Sequence, residues 1–415
     1  MIKFNFKQLL KANIFNTFRQ YLQHNELFGN MKLFTFVHIH FSIVLYKILG
    51  ILFFVFFSTQ VLWASIEQSK TDSLENLLIN TKGIEKAKVY NQLIGIYQKT
   101  DTVKAFGYFK KSVMLCEKVN NSLLESSAFE YLSSHYNGTG DYANSIITLK
   151  KALQFVTTNG LETGIGFAYS YLGKQYMLLN NYTLAEKYQS MALTKFSKLD
   201  CIFGKAEALE RLGFINMVRN NYLEALKYYY QALIINQKLK LPHETGITLY
   251  HIGLTKLYLS DYDEAINYIL KSLKIWDELN ETANKWNCNE LIGNIYIKLE
   301  DYNKALKYHK IALSIRQEAI SSRLRQEYKI SAIHKLGLAY SYNNIAEVYF
   351  HLKQYDSAYY YALKGYRLKT EKNSIASKND VANSELNLGN IYRALKKYDS
   401  AYLMIDKAAA TYQEL

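Results

Sequence analysis

The residues able to do acid–base or metal chemistry are scattered along this chain. His38 and His40 lie close together but have no third ligand beside them. Cys116, Cys201 and Cys288 are odd in number and about 85 residues apart, which fits neither a disulfide framework nor a zinc site. No serine stands in a nucleophile-elbow motif. The sequence therefore predicts no enzyme, no metal site and no bound cofactor.

Three further patterns look chemical but have a structural explanation. Gly-Ile-Gly at 164–166 does not follow a strand, so we interpret it as helix packing rather than a phosphate loop. Asp261 and Asp263 fall in a turn, where helix capping accounts for carboxylates. Single histidines recur far apart, as on ordinary helix faces: His251, His309 and His351.

Composition favours long helices and a mildly basic surface. The 415 residues include one proline and 19 glycines, so the usual punctuation of turns and strands is scarce. The net charge is +14, but lysines alternate with acids as on solvated helix faces. We therefore expect no nucleic-acid partner, while acidic partners or anionic lipid head groups are favoured.

An apolar segment without charge occupies residues 48–66, directly after Lys47. Positive charge followed by an apolar stretch and small residues is the order of a secretory signal. We assign residues 1–64 as a membrane-targeting segment. The positive flank should stay in the cytoplasm, so the remainder is predicted to be exported or membrane-anchored, periplasmic if the source is bacterial.

Two alternatives about this leader stay open. Cleavage after Ala64 would place a leucine where a small residue is preferred, and the stretch is long enough to remain as an anchor helix. Met31 is an alternative start, because it opens a more ordinary leader than Met1 does.

A forty-residue repeat fills the rest of the chain. A small residue within a Leu/Ile-Gly-x-x-Tyr pattern recurs at this step, and less regularly towards the C-terminus, at Ser133, Gly173, Gly213, Gly253, Gly293, Ala346 and Gly389. Twelve residues later stands a second small residue: Ser145, Ala185, Ala225, Ala265, Ala305, Ala358 and Ala401. A tyrosine always precedes the latter by three: Tyr142, Tyr182, Tyr222, Tyr262, Tyr302, Tyr355 and Tyr398.

These columns predict stacked pairs of antiparallel helices. The small residue allows two helix backbones to approach, and a larger side chain there would cost roughly 1–3 kcal/mol by overpacking. A weaker unit around Tyr97 brings the number to about eight, over residues 86–415 after a short lead-in at 65–85. Extra residues around Glu318–Leu338 are predicted to lengthen two helices by about seven each.

The pattern resembles the tetratricopeptide repeat family, whose Leu-Gly-x-x-Tyr, Tyr-x-x-Ala and Ala-Leu elements it shares over about eight tenths of the chain. The resemblance implies an all-α, right-handed α-solenoid of about eight hairpins, preceded by the signal or anchor helix. The forty-residue step, against the usual spacing of about 34, is similar to kinesin light chain arrays. The layout also resembles the extracytoplasmic part of bacterial tetratricopeptide sensors, without their output domain.

The resemblance implies a protein-interaction scaffold or sensor input that holds a protein or peptide in a concave groove. The alternative is the regulatory fragment of a signalling protein, of the histidine kinase, cyclase or DNA-binding regulator type, whose output domain is absent from this chain. The resemblance leaves homo-oligomerisation open. By position in the repeat, the groove residues are Glu130, Lys174, Glu210, Arg211, Phe214, Tyr250, Leu254, Glu290, Asn294, Asn343, Glu347 and Asn390.

Overall fold

The computed structural model describes residues 69–327, 332–372 and 374–414. The chain divides into two units, Met1–Asn80 and Thr81–Leu415, and residues 69–80 of the first unit are helical. The predicted targeting segment at 1–64 lies outside the described residues. No helix in those three ranges is both long and apolar enough to cross a bilayer.

Sixteen helices and no strand make up the described part of the second unit, and they pair into eight hairpins. In the order first helix then second helix, they are α1 Gly83–Thr100 and α2 Thr102–Lys118; α3 Ser122–Thr139 and α4 Tyr142–Thr158; α5 Glu162–Leu178 and α6 Tyr182–Lys198; α7 Ile202–Val218 and α8 Tyr222–Lys238; α9 Pro242–Tyr258 and α10 Tyr262–Leu279; α11 Thr282–Lys298 and α12 Tyr302–Glu327; α13 Ala332–His351 and α14 Tyr355–Thr370; α15 Lys378–Ala394 and α16 Tyr398–Gln413. The all-α hairpin array predicted from the sequence is confirmed.

Left-handed residues end the helices at regular intervals. Within six hairpins the turn residue has φ between 57° and 63°, at Asn180, Asn220, Ser260, Glu300, Lys353 and Lys396. The next helix then begins two residues later, at the tyrosine of the repeat. Asp101, Asp141 and Asn181 accept backbone hydrogen bonds as N-caps, which satisfies donors that a helix start leaves unpaired.

The small residues lie where the two helices of a hairpin approach most closely, as predicted. A Cβ built on Gly253 would lie 2.6 Å from Ile269 Cδ1 and 3.1 Å from the carbonyl oxygen of Ala265. The glycines at the same position in neighbouring hairpins meet Tyr229 and His309 in the same way. Since a real Cβ does not tolerate such distances, glycine is required here by close packing.

The first helices form the inner side of the array. Successive first helices contact one another, and α3 also contacts α7, two hairpins further on. Second helices instead contact their own partner and, where another hairpin follows, its first helix, and α2 also contacts α5. This arrangement curves the array around α3, α5, α7 and α9 and leaves the second helices on the outside.

The two helices on either side of the extra residues predicted around 318–338 are longer than the other helices of the array. α12 has 26 residues and α13 has 20, whereas most helices of the array have 17. Both helices are therefore lengthened, as predicted, and residues 328–331 between them lie outside the described residues. The sequence through Arg323 and Arg325 contains strong helix formers and no glycine, proline or asparagine, so nothing local ends α12 earlier.

Candidate functional site

A cavity of about 390 Å³ opens on the inner side of the array. Four first helices, α3, α5, α7 and α9, supply nearly all of its walls. Leu123, Phe203 and Ile247 give it apolar surface. Its charged and polar lining consists of Ser126, Ser127, Glu130, Tyr171, Lys174, Glu207, Glu210, Arg211, Asn236, His243, Glu244 and Thr248.

Arg211 organises the floor of this cavity. Its Nη2 donates to Glu207 Oε1 at 3.1 Å, its Nη1 donates to the Ser170 hydroxyl, and its guanidinium lies 4.9 Å from the centre of the Tyr171 ring. Burial lowers the pKa of Arg211, but the charge of Glu207 and the other neighbours of the guanidinium, Glu130 among them, together offset this and raise the pKa above its usual value. The floor is therefore a fixed, charged surface.

Tyr171 and Ser126 complete that floor. The Ser126 hydroxyl lies 2.9 Å from Glu207 Oε2 and 3.2 Å from the Tyr171 hydroxyl. Burial, reinforced by the nearby carboxylate of Glu207, raises the pKa of Tyr171 far above its usual value. The phenol consequently stays neutral and can serve as a hydrogen-bond donor.

A more accessible ion pair stands at the edge of the cavity. Lys174 Nζ lies 2.7 Å and 3.0 Å from the two carboxylate oxygens of Glu130. Burial alone would raise the pKa of Glu130, but the charge of Lys174 and its hydrogen bond lower it below the usual value. About 45% of the Glu130 side chain remains exposed, so this carboxylate is within reach of a ligand.

Glu210 joins this cavity to the next repeat. Its carboxylate is 2.5 Å from His251 Nδ1 and 2.7 Å from the Thr248 hydroxyl. A second cavity of about 180 Å³ begins beyond this point, lined by Ile247, Tyr250, His251, Trp276, Asn284 and Asn287. Ile247 lines both cavities, so the inner surface continues from one to the other.

The structure brings together five of the predicted groove residues in these cavities. Glu130, Lys174, Glu210 and Arg211 line the larger cavity and Tyr250 the smaller one. The other seven lie outside both: Phe214, Leu254, Glu290, Asn294, Asn343, Glu347 and Asn390.

Those seven residues have different surroundings. Phe214 and Leu254 are half-buried and pack on hydrophobic clusters. Glu290 accepts hydrogen bonds from Arg316 and Ser341. The Asn343 amide donates to Ser384 at 2.8 Å. Glu347 is exposed, while Asn294 and Asn390 are half-buried.

Prediction from the sequence missed the cavity-lining residues that lie one to two helical turns before the predicted groove positions, nearer the helix N-termini. They include Ser126, Phe203 and Glu207. A signal was present. Seven residues before the repeat glycine there is another column of small residues, at Ser126, Gly166, Ala206 and Gly246. Gly166 and Gly246 receive large rings of the paired helix, because a Cβ there would lie 2.5 Å from Phe196 or Trp276.

Two sequence interpretations need correction. His309 is not on a solvated helix face: it is 1% exposed, and neither ring nitrogen has a partner. The Asp261 side chain makes no capping hydrogen bond and instead lies 2.7 Å from Lys256 Nζ, because the lysine competes for the carboxylate. Within the described ranges, no three His, Cys, Asp or Glu side chains lie together as metal ligands would.

Comparison with known proteins identifies the repeat. Two family models described as tetratricopeptide repeat match residues 204–278 and 290–319. No curated protein sequence matches the chain.

Among solved structures, a signal transduction ATPase with numerous domains and a tetratricopeptide repeat sensor, from Pyrococcus horikoshii, is similar at a TM-score of 0.50 and 18% identity, over 80% of this chain and 53% of that one. The apo quorum sensor NprR from B. thuringiensis is similar at 0.48 and 18%, over 68% and 78%. BtubC from P. vanneervenii is similar at 0.47 and 16%, over 55% and 90%. The repeat columns, the hairpins and the matched segments agree: this chain carries tetratricopeptide repeats.

Proposed function

We propose that this chain is a protein-interaction scaffold or sensor input that holds a peptide segment of a partner along its inner side. The observation that carries the proposal is the larger cavity, which combines apolar walls with fixed hydrogen-bonding groups on four successive helices. Concave, partly apolar surfaces with a few placed polar groups are the usual form of a binding site.

The charges of the cavity favour a basic peptide. Four glutamates line it, Glu130, Glu207, Glu210 and Glu244, against two permanent cations, Lys174 and Arg211. Glu207 is held by Arg211, and Glu130 shares its charge with Lys174. The excess negative charge therefore lies towards α9, at Glu210 and Glu244.

Apolar surface gives the peptide a second point of attachment. Leu123 is 43% exposed and Ile247 is half-buried, and they stand on α3 and α9 at opposite ends of the cavity. A segment with an aliphatic or aromatic residue near a lysine or arginine would bury its apolar side chain while its cation meets the carboxylates.

The experiment is selection of binders for the full chain from a displayed library of random peptides, followed by affinity measurement. We expect the selected peptides to combine Lys or Arg with an aliphatic or aromatic residue. Leu123→Arg should weaken them by about tenfold or more, since it places a cation and added bulk in the cavity. The control is Ile147→Arg, which makes the same kind of change at an exposed residue of α4.

Equal loss in both variants, or selected peptides rich in acidic residues, would contradict the assignment of the cavity as a basic-peptide site. Failure to select any peptide that competes at Leu123 would contradict it as well. Circular dichroism of each variant checks that the helices are retained.

The location of the array is a separate proposal. We propose that the array functions outside the cytoplasm, because a charge-free apolar segment with a positive flank precedes it in the sequence. N-terminal sequencing of protein from the membrane and soluble fractions distinguishes a cleaved leader from a retained anchor. Recovery of the intact chain in the cytosol would refute both the cleaved leader and the retained anchor.

A further inference from the structure

The positive charge of this array is concentrated on its outer helices. The eight second helices, α2 to α16, carry 23 Lys and Arg against 12 Asp and Glu, whereas the eight first helices carry 12 against 11. The inner side is therefore close to neutral, and almost the whole excess faces outwards.

The strongest concentration lies on α2, α4 and α6. Lys104, Lys111 and Lys118 are seven residues apart, so they share one side of α2. Together with the exposed lysines of the two following second helices they form what we name the lysine face: Lys104, Lys110, Lys111, Lys118, Lys150, Lys151, Lys187 and Lys198.

No acid neutralises this face. All eight lysines are exposed, and none forms an ion pair within the described part of the chain. The two glutamates of these three helices are turned elsewhere: Glu186 pairs with Arg219, and Glu117 is half-buried. The face is therefore a cationic surface without an internal counter-charge.

Exposed aliphatic side chains lie among the lysines. Val103 and Met114 on α2 are 81% and 52% exposed, and Ile147 on α4 is 51% exposed. Helical spacing places them on the same side as the lysines of their own helix. Cations that alternate with exposed aliphatic groups are the composition of surfaces that lie at a lipid head-group layer.

We propose that the lysine face docks on the surface of an anionic phospholipid bilayer. Lysine is a compact, hydrated charge suited to a diffuse layer of phosphates. The three helices contain no arginine, the residue favoured for paired phosphate and base contacts. The nearby rings of Phe106 and Tyr108 lie beneath Lys110 and Lys111 and are half-buried, so they offer no stacking platform for bases. This proposal does not depend on a ligand in the inner cavity.

The chain contains a matched control. Lys271 on α10 occupies the same repeat position as Lys111 and Lys151, and it lies 5.1 Å from a tyrosine ring, as Lys111 does at 5.2 Å. The outer side of α10, however, also carries Asp263, Glu264 and Glu278. Lys271 therefore has the same local structure as Lys111 and Lys151, but the surface around it carries no net positive charge.

The test is lysine labelling of the full chain with an amine-reactive reagent, read by mass spectrometry, in phosphatidylcholine vesicles and in vesicles containing phosphatidylglycerol. We expect the anionic vesicles to slow labelling of Lys111 and Lys151 by about fivefold or more, and to leave Lys271 unchanged. Site-by-site comparison between the two lipids separates this effect from any insertion of the apolar N-terminal segment, which does not need anionic lipid.

Charge reversal completes the test. Lys111→Glu with Lys151→Glu should abolish the protection of the remaining lysines of the face, whereas Lys271→Glu with Lys274→Glu should preserve it. Equal labelling in both lipids, or equal protection of Lys271, would overturn the proposal. Protection by a nucleic acid at matched phosphate concentration, as strong as that by vesicles, would overturn the assignment to lipid.

Discussion

The two halves of the array build the same hairpin with different interiors. From α1 to α7 one continuous cluster of buried apolar residues runs through the stack, with Phe109, Phe129, Phe167 and Phe196 in ring contact along it. From α7 onwards the apolar core of the described residues is divided into three smaller clusters.

One repeat position accounts for much of this difference. In the second helices it lies eleven residues after the column of small residues that begins with Ser145 and Ala185, and it is buried in every hairpin from the first to the seventh. Its occupants in order are Cys116, Val156, Phe196, Asn236, Trp276, Arg316 and Lys369. The first three are apolar, whereas all of the last four make directed hydrogen bonds.

Arg316 and Lys369 show what replaces apolar contact. Arg316 donates to Glu290 at 3.1 Å and lies over the ring of Trp286, and Lys369 donates to Ser384 and to the carbonyl oxygen of Asp380. Burial lowers the pKa of both groups, which is the cost of enclosing a cation. Directed bonds fix the stacking geometry more narrowly than apolar packing does, so the second half should tolerate substitution less.

The same replacement at equivalent positions tests this comparison most strongly. Arg316→Met should lower the free energy of unfolding by about 3 kcal/mol, because Glu290, whose side chain is only 17% exposed, is left without its cation. Phe196→Met, which roughly conserves volume, should cost only about 1–2 kcal/mol. Urea denaturation followed by circular dichroism measures both.

A double variant separates charge from packing. Arg316→Met combined with Glu290→Gln should recover a large part of the loss, since no buried charge then remains unpaired. If the single variant costs no more than Phe196→Met, the two halves are held together in the same way and the comparison fails.

Acid should act first on the second half. Burial lowers the pKa of His309 from 6.5 to about 4, so the unfolded chain binds the proton more readily. Stability is therefore lost as the pH falls through the window from about 6.5 to about 4, by about 2 kcal/mol between pH 8 and pH 5. His309→Ile, which copies Ile269 at the same repeat position, should remove this part of the pH dependence. The two melting curves must differ more at pH 5 than at pH 8; parallel curves would rule the mechanism out.

The smallest effect concerns a turn that both halves share. Glu300 has φ of 57°, a conformation that costs a side chain about 1 kcal/mol and glycine almost nothing. Glu300→Gly should raise stability by about 0.5–1 kcal/mol. Lys298→Gly, two residues earlier in α11, should lower it, because glycine weakens a helix. Thermal melts of the two variants should show stability changes of opposite sign. Changes of the same sign would contradict the explanation that the positive φ of Glu300 costs stability.

Much of the fold could be predicted, because the size of the residue at a repeat position indicates how closely two helices pack and where a turn ends. Close contact between two helices is indicated by Gly213, Gly253 and Gly293. The start of a second helix is indicated by the repeat tyrosine, as at Tyr182 and Tyr222. These signals are local and repeat, so each unit supports the interpretation of the next. The residues at the cavity edge, Glu130 and Lys174, followed from their position in the repeat.

The floor of the cavity could not be predicted in this way. Arg211 bonds to Ser170, 41 residues away, and to Glu207, 4 residues away, while Arg316 bonds to Glu290, 26 residues away. These partners meet through three-dimensional contact and do not follow the forty-residue step. His309 gave no signal of burial, because histidine is intermediate between the residue types that are usually buried and those that are usually exposed. Prediction from the sequence relied on the repeating pattern of small and apolar residues, and polar groups in the interior depart from that pattern.

The left-handed turns have a consequence for how such a chain can change length. Helices alternate between inner and outer sides every twenty residues, at turns such as those of Asp200 and Asn220. Insertion of a complete forty-residue unit after Asp200 would preserve the side on which each later helix stands. Insertion of a single twenty-residue helix would exchange the two sides for everything downstream, burying what had been hydrated and exposing the core. Growth of this molecule by duplication is therefore restricted to even numbers of helices.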